Sequence, residues 1–185
     1  MLRILPAVLL LFFSQSVVSA QRHDASLTDI IVSTSQGHLA VSFKVTDCFT
    51  EDMKLAIESG IRTTFTFFVT VEQSRDFWWD KNIAKLRVSH EIQYDNLRKV
   101  YRVSRSEEGG QSVELGDFEK AKDAMALISD LKVTELMDLE KGKRYRVRTM
   151  AELDKIRLPL YLHYVFFFLS LWDFKTGWYT VDFIF

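Results

Sequence analysis

Apolar and polar residues alternate with a period of two over most of the chain. In residues 38–47 the apolar side chains take every second position, at Leu39, Val41, Phe43 and Val45. This alternation is typical of a strand with one face on the core and one face in water. Similar patterns mark residues 27–34, 63–72, 84–94, 99–105, 143–153 and 179–185. The chain is predicted to be mainly β, an antiparallel β-sandwich that is immunoglobulin-like in general architecture.

Two short helices are predicted between the strands. Thr50 can cap the first helix, which carries Glu51 and Asp52 in its first turn and ends at Gly60. The second begins at Asp117. Its apolar stripe has helical spacing and consists of Phe118, Ala121, Met125 and Ile128. Helices of this length are not stable alone, so both are expected to pack on a sheet.

Composition narrows the class of protein. The chain has 185 residues, of which 48% are hydrophobic, and this apolar fraction is too high for a disordered chain. Lys and Arg number 24 against 25 Asp and Glu, so no bulk charge points to a nucleic-acid partner. We find no repeat and no linker, and predict one β-rich globular domain over residues 21–185, which follows a targeting segment.

The first twenty residues have the pattern of a secretory signal peptide. A short basic start containing Arg3 precedes an apolar run at residues 4–13, and the small-x-small sequence Val18-Ser19-Ala20 follows. The apolar run is too short for a membrane span, which needs about 20 residues. Residues 1–20 are therefore predicted to be a signal peptide cleaved after Ala20, with export to the periplasm. An uncleaved N-terminal anchor is the alternative.

The single cysteine, Cys48, excludes an internal disulfide and any site that needs several cysteines. In an exported protein it could be a buried inert thiol, half of an intermolecular disulfide or a reactive nucleophile. No Lys, Arg or His is adjacent to it in sequence. A buried, inert thiol is the favoured interpretation.

The sequence contains no familiar catalytic pattern. There is no glycine-rich phosphate loop, no G-x-S-x-G, no H-E-x-x-H and no C-x-x-C. His90 lies on the apolar face of a predicted strand, where a core or edge histidine with satisfied hydrogen bonds is the favoured interpretation over a catalytic one. Glu107 and Glu108, next to two glycines, are interpreted as solvated loop charges. We predict no enzyme activity, no cofactor and no metal site.

All four tryptophans lie in two clusters that also contain carboxylates, at residues 76–80 and 172–179. Exposed tryptophan beside carboxylate is one way in which proteins bind sugar rings. The more ordinary interpretation is that the indoles close the ends of the β core, and we favour it. If the clusters bind a ligand or partner, the candidate residues are Trp78, Trp79, Asp80, Trp172, Asp173, Trp178 and Tyr179.

Residues 158–172 form an apolar block that fits neither a strand nor an amphipathic helix. Burial in the core is the favoured interpretation, and an interfacial or partner-facing patch is the alternative.

The basic row Arg144, Arg146 and Arg148 could face lipid headgroups. Pairing with Glu72 or Glu91 on a neighbouring strand explains this row more simply.

Several segments together resemble the bacterial domain of unknown function 4390. The resemblance rests on Trp78-Trp79-Asp80, Tyr94, Tyr101-Arg102-Val103, the helix after Leu115, Leu158-Pro159, Trp172 and Trp178-Tyr179. It spans nearly all of the chain after the predicted signal peptide. Members resemble exported proteins of Gram-negative bacteria and tend to be encoded near a membrane sensor histidine kinase. The resemblance carries no catalytic residues and implies a sensory or accessory role in the envelope.

Taken together, these patterns predict an exported, periplasmic, non-enzymatic binding or interaction module, accessory to an envelope sensory system. Its expected partners are an envelope protein or a glycan, with peripheral membrane contact but no nucleic acid. A carbohydrate- or peptidoglycan-binding module is one alternative. A small outer-membrane β-barrel is another, because the last residues alternate and end on Phe185 as a closing barrel strand does.

Overall fold

The computed structural model describes residues 25–154 and 175–185, and these contain nine strands and two α-helices. The predicted signal peptide and the apolar block at residues 158–172 lie outside the described residues. The strands are β1 Ser26–Ser35, β2 His38–Thr46, β3 Thr63–Gln73, β4 Lys81–Asp95, β5 Val100–Arg105, β6 Ser112–Leu115, β7 Leu127–Glu135, β8 Arg144–Leu153 and β9 Tyr179–Ile184. The helices are α1 Glu51–Glu58 and α2 Phe118–Ala126.

The strands form two antiparallel sheets, which confirms the predicted mainly β, sandwich-like fold with two helices. The smaller sheet has the order β1-β2-β7, and the larger has the order β6-β5-β4-β3-β8-β9. Pairings in each sheet are antiparallel, as alternating runs with one polar face require.

The core lies between the two sheets and is built from the predicted apolar faces. Phe43 of β2 meets Phe67 of β3 edge to face, with ring centroids 5.8 Å apart. Phe65 and Phe67 are completely buried, as is Ile92 of β4. Burying each such side chain contributes about 1.5–3 kcal/mol. Strand alternation therefore places these aromatic residues correctly.

Both helices begin where the sequence predicts. The Thr50 side chain accepts a hydrogen bond from the Met53 N–H, and the Asp117 side chain accepts one from the Lys120 N–H. Gly60, with a φ of +87°, follows the end of α1 in a conformation that favours glycine.

The predicted extent of the second helix is wrong, because α2 ends at Ala126 and Ile128 lies in β7. The sequence pattern does not predict strand β7, because apolar and polar residues do not alternate strictly along it. Asp130 has a φ of +48° and lies where the pairing of β7 with β2 shifts register. The side chains of Ile128 and Leu131 therefore both face the core despite their odd spacing. The short edge strand β6 was also missed, because its residues are mostly exposed.

Cys48 is buried, in agreement with the prediction for this thiol. Burial raises its pKa to about 12, because a thiolate would lose its hydration there.

In residues 25–154 and 175–185, no helix has both the length and the apolar character needed to span a membrane.

Candidate interaction site

The connection between β3 and β4 exposes three consecutive aromatic side chains. This segment, residues 74–80, is called the aromatic loop below. Phe77, Trp78 and Trp79 are 93%, 78% and 92% exposed. Most large aromatic side chains elsewhere in the described residues are buried or half-buried. The hypothesis that the tryptophans close the end of the core is therefore wrong for Trp78 and Trp79.

The ends of the aromatic loop are tied to β8 by its acidic residues. Asp76 forms an ion pair with Arg144, and the Asp80 carboxylate lies 3.6 Å from Arg146 Nη1. Asp80 Oδ1 also accepts a hydrogen bond of 3.3 Å from the Arg75 N–H, which closes the loop on itself. At the start of the loop, the Ser74 N–H donates to the Arg144 carbonyl oxygen at 2.9 Å. The carboxylates thus hold the base of the loop, while the aromatic tip extends away from the sheet.

Arg146 lies at the centre of this charged base. Its Nε donates a hydrogen bond of 2.8 Å to Asp182 of β9, and this contact raises the pKa of the guanidinium group. Asp80 reaches the same guanidinium from the loop side. Arg144 and Arg146 are therefore paired with carboxylates, but the partners are Asp76, Asp80 and Asp182 rather than the predicted Glu72 or Glu91. Arg148 instead lies over the ring of Trp178.

Two open cavities flank the base of the aromatic loop. The first, of about 400 Å³, lies between the loop and β9, and its lining includes Arg75, Asp76, Asp80, Arg144, Arg146 and Asp182. The second, of about 500 Å³, lies between the loop and the segment before β8, and its lining includes Phe77, Trp78, Glu140, Lys143 and Arg144. Both linings mix polar and apolar side chains, and Phe77 and Trp78 of the loop tip belong to the second one.

Four exposed cationic side chains surround the aromatic loop. They are Arg75 and Lys81 at its two ends, with Lys141 and Lys143 on the segment before β8. None of the four forms an ion pair with another residue in the part of the chain that the structure describes. Glu140 is an exposed carboxylate in the same area. Because Asp76 and Asp80 are bound to arginines, the charges without an ion-pair partner among the described residues of the loop and of residues 140–143 are these four cations and the Glu140 carboxylate.

The strand order places other connections at this end of the sandwich. The Leu136 N–H donates to the Gly37 carbonyl oxygen at 2.9 Å, which brings the end of β7 to the β1–β2 turn. Ile184 of β9 pairs with Arg144 at the start of β8. Two more exposed apolar side chains therefore lie at the same end, Met137 at 88% and Ile184 at 72%.

The second tryptophan cluster is only partly described, because Trp172 and Asp173 lie outside the described residues. Trp178 is 43% exposed, and the guanidinium of Arg148 lies 4.8 Å from its ring centroid. Tyr179 begins β9 and pairs with Thr149. Trp178 is thus about six strand residues from Arg144, or about 20 Å. The described residues bring Trp78, Trp79 and Asp80 together but do not place Trp178 and Tyr179 beside them.

Comparison with known families identifies the chain. The family model described as Domain of unknown function (DUF4390) matches residues 22–182. The chain belongs to the DUF4390 family. The match includes both sheets, both helices and the aromatic loop, and it confirms the resemblance seen in the sequence. Searches of curated proteins and of solved structures give no match.

In this DUF4390 protein, His90 is a core histidine with satisfied hydrogen bonds, as predicted. It is fully buried, with Nδ1 2.8 Å from the Met125 carbonyl oxygen and Nε2 2.7 Å from Glu107 Oε1. The interpretation of Glu107 as a solvated loop charge is therefore wrong. Glu108 remains largely exposed and pairs with Arg105 at 3.2 Å.

Sequence reasoning found the aromatic residues of the DUF4390 loop but missed the residues that support them. The sequence pattern marks Arg144 and Arg146 only as members of a basic row, and it gives no indication of a role for Lys141 and Lys143. Asp76 and Arg144 are 68 residues apart, so no local pattern links them. A usable signal was present only in the loop, where carboxylates on either side of three aromatics imply cationic partners elsewhere.

Proposed function

We propose that this DUF4390 protein is an exported, non-enzymatic interaction module, and that the aromatic loop is its docking element. The observation that carries the proposal is the exposure of three consecutive aromatic side chains, Phe77, Trp78 and Trp79. Adjacent exposed aromatics of this size are uncommon in a monomeric soluble protein, and such patches mark surfaces that bind something.

The construction of the loop supports a docking role. Its base is held by the contacts of Asp76 and Asp80 with arginines of β8, so the base of the loop does not need to be ordered when the loop binds. Binding by a preformed element avoids much of the entropy loss of ordering a flexible segment. Trp and Tyr are also the residues that most often dominate binding energies at interfaces.

A non-enzymatic role is supported by the location of the buried acid–base pair. His90 and Glu107 meet inside the fold, and neither lines the two cavities beside the aromatic loop.

Export is supported by the signal-peptide pattern of residues 1–20 and by the family resemblance to exported proteins. The same resemblance supports an accessory role in an envelope sensory system. A sugar-binding role has less support, because the loop carboxylates that would bind sugar hydroxyls are already bound to Arg144 and Arg146.

The test is retention of the protein in the cell envelope. The full chain is expressed with a C-terminal tag, and the envelope-bound fraction is compared between wild type and the double variant Trp78→Ala with Trp79→Ala. The control is Leu97→Ala, which removes a side chain that is 95% exposed at the opposite end of β4. We expect the double variant to lose retention and the control to keep it. Equal retention of all three proteins would refute a docking role for the loop.

A further inference from the structure

We propose that the aromatic loop docks on the headgroup layer of an anionic lipid bilayer. This inference rests on the proposed function and names the partner of the same site. Docking on a bilayer requires three properties of the surface near the loop. These are aromatic side chains that favour the membrane–water interface, unpaired positive charge beside them, and a shape narrow enough to enter the headgroup layer.

The aromatic side chains fit the interface of a bilayer. Tryptophan has a large apolar ring and one N–H donor, so it is favoured where hydrocarbon meets water. Neither Trp78 nor Trp79 uses its indole N–H within the described part of the chain. As far as residues 25–154 and 175–185 are concerned, both N–H groups can donate to lipid carbonyl or phosphate oxygens, while Phe77 supplies purely apolar surface.

The charges around the loop complement an anionic surface. Arg75, Lys81, Lys141 and Lys143 are exposed and have no acidic partner among residues 25–154 and 175–185. Asp76 and Asp80 do not oppose them, because they are paired with Arg144 and Arg146, so Glu140 is the exposed carboxylate that faces the four cations in this area. Long Lys and Arg side chains can hold their charges at the headgroups while an apolar tip enters deeper.

The shape favours a bilayer over a protein partner. The three aromatic side chains offer about 450–750 Å² of surface, at 150–250 Å² each. A stable protein interface needs about 800 Å² on each partner with a continuous apolar centre. Here charged residues make up most of the lining of the first cavity and half of the lining of the second, where they lie beside Phe77 and Trp78. A narrow apolar tip with exposed Arg and Lys side chains beside it is suited to insert by about 5–10 Å into a headgroup layer.

The test measures binding of the purified protein, obtained by expressing the full chain, to lipid vesicles. Vesicles of phosphatidylcholine alone are compared with vesicles that also contain phosphatidylglycerol. Binding is followed by co-sedimentation, and insertion is followed by quenching of tryptophan fluorescence with brominated lipid. Three proteins are compared: wild type, Trp78→Ser with Trp79→Ser, and Lys141→Gln with Lys143→Gln. Leu97→Ser with Lys99→Gln is the matched control, because it removes an exposed apolar residue and a cation from the β4–β5 turn.

We expect wild type and the control to bind anionic vesicles equally, with quenched fluorescence. The tryptophan variant should lose at least about ten-fold in affinity on both kinds of vesicle. The lysine variant should lose roughly ten- to thirty-fold on anionic vesicles only, since each cation near such a surface strengthens binding about five-fold. Circular dichroism must show that each variant is folded.

Three results would overturn the proposal. The first is no binding of wild type to anionic vesicles. The second is equal binding by wild type and the tryptophan variant. The third is loop-dependent self-association or protein binding without vesicle binding. If the envelope retention described above still depends on Trp78 and Trp79, the docking role survives and its partner is a protein. If retention does not depend on them, the docking role itself fails.

Discussion

Replacing Glu107 by alanine should destabilise the fold, although Glu107 lies in a surface turn. The residue belongs to a short 3-10 turn, Ser106–Glu108, that follows β5. Its carboxylate lies 2.7 Å from Nε2 of His90, a residue with no exposed surface. The turn also accepts a hydrogen bond of 2.9 Å from the Ser89 N–H through Ser106 Oγ. Glu107 therefore provides the hydrogen-bond partner of a buried ring.

The magnitude follows from the hydrogen bonds of the ring. The Met125 carbonyl oxygen can only accept, so Nδ1 of His90 carries a proton and donates to it. Nε2 either donates to the ionised carboxylate or accepts from the protonated acid, and it needs Glu107 in both cases. A buried polar group left without its partner costs about 1–3 kcal/mol. The Glu107 side chain is 16% exposed, so water can partly replace it, and we expect about 2 kcal/mol.

The assay is urea unfolding followed by circular dichroism, with thermal unfolding as a second measurement. A loss of about 2 kcal/mol lowers Tm by about 4–8 °C for a domain of this size. Glu108→Ala is the matched control, because Glu108 forms only an exposed ion pair with Arg105, and it should cost about 0–1 kcal/mol. Glu107→Gln should be less harmful than Glu107→Ala, because its amide N–H can donate to a neutral Nε2. Equal stability of Glu107→Ala and Glu108→Ala would refute the assignment.

Three further predictions concern the core, a helix cap and the thiol. Phe67→Ala should lower the free energy of unfolding by about 3–5 kcal/mol, because Phe67 is fully buried against Phe43; a loss below about 1 kcal/mol in urea unfolding would contradict this. Asp117→Ala should cost about 1 kcal/mol by removing the cap of α2, whereas Asp117→Asn should recover most of the stability in the same assay. Cys48 should resist a thiol reagent in the native protein and react fully in urea, and rapid native labelling would show that it is accessible. The pKa of Cys48 rises from 9.0 in the unfolded chain to about 12 in the folded protein. The contribution of the protonated thiol to the free energy of unfolding should therefore be complete below pH 9 and be lost as pH rises toward 12. In Cys48→Ala, the fall in stability at alkaline pH should be smaller by this contribution.

Much of the fold was predictable because local sequence reports which face of an element meets the core. Period-two alternation correctly placed Phe43, Phe65 and Phe67 inside, and the capping residues Thr50 and Asp117 marked both helix starts. Prediction failed at β7, because the left-handed residue Asp130 shifts the phase of alternation there. The phase of a strand across such a bulge depends on its partner strand, which local periodicity does not report.

The candidate site was predictable only in part. The sequence singled out Trp78 and Trp79 as unusual, but the ordinary interpretation placed them against the core. Their exposure depends on the ion pairs of Asp76 and Asp80 with arginines of β8. These ion pairs join residues that are more than sixty positions apart in the sequence. The role of Glu107 was missed for the same reason, since the ring that it contacts belongs to a different strand.

By itself the sequence determined the mainly β class, most strands, both helix starts and membership of the DUF4390 family. These properties are local or compositional, because alternation, caps and family motifs are read from neighbouring residues. Only the tertiary structure decided the position of the aromatics that lie outside the alternating strands. Phe67 belongs to an alternating run and lies between the two sheets, whereas Trp79 belongs to a run without alternation and lies at the tip of a loop. That difference arises because pairing β3 with β8 brings Arg144 and Arg146 under the loop, where they bind its carboxylates and leave the aromatic tip outside the core.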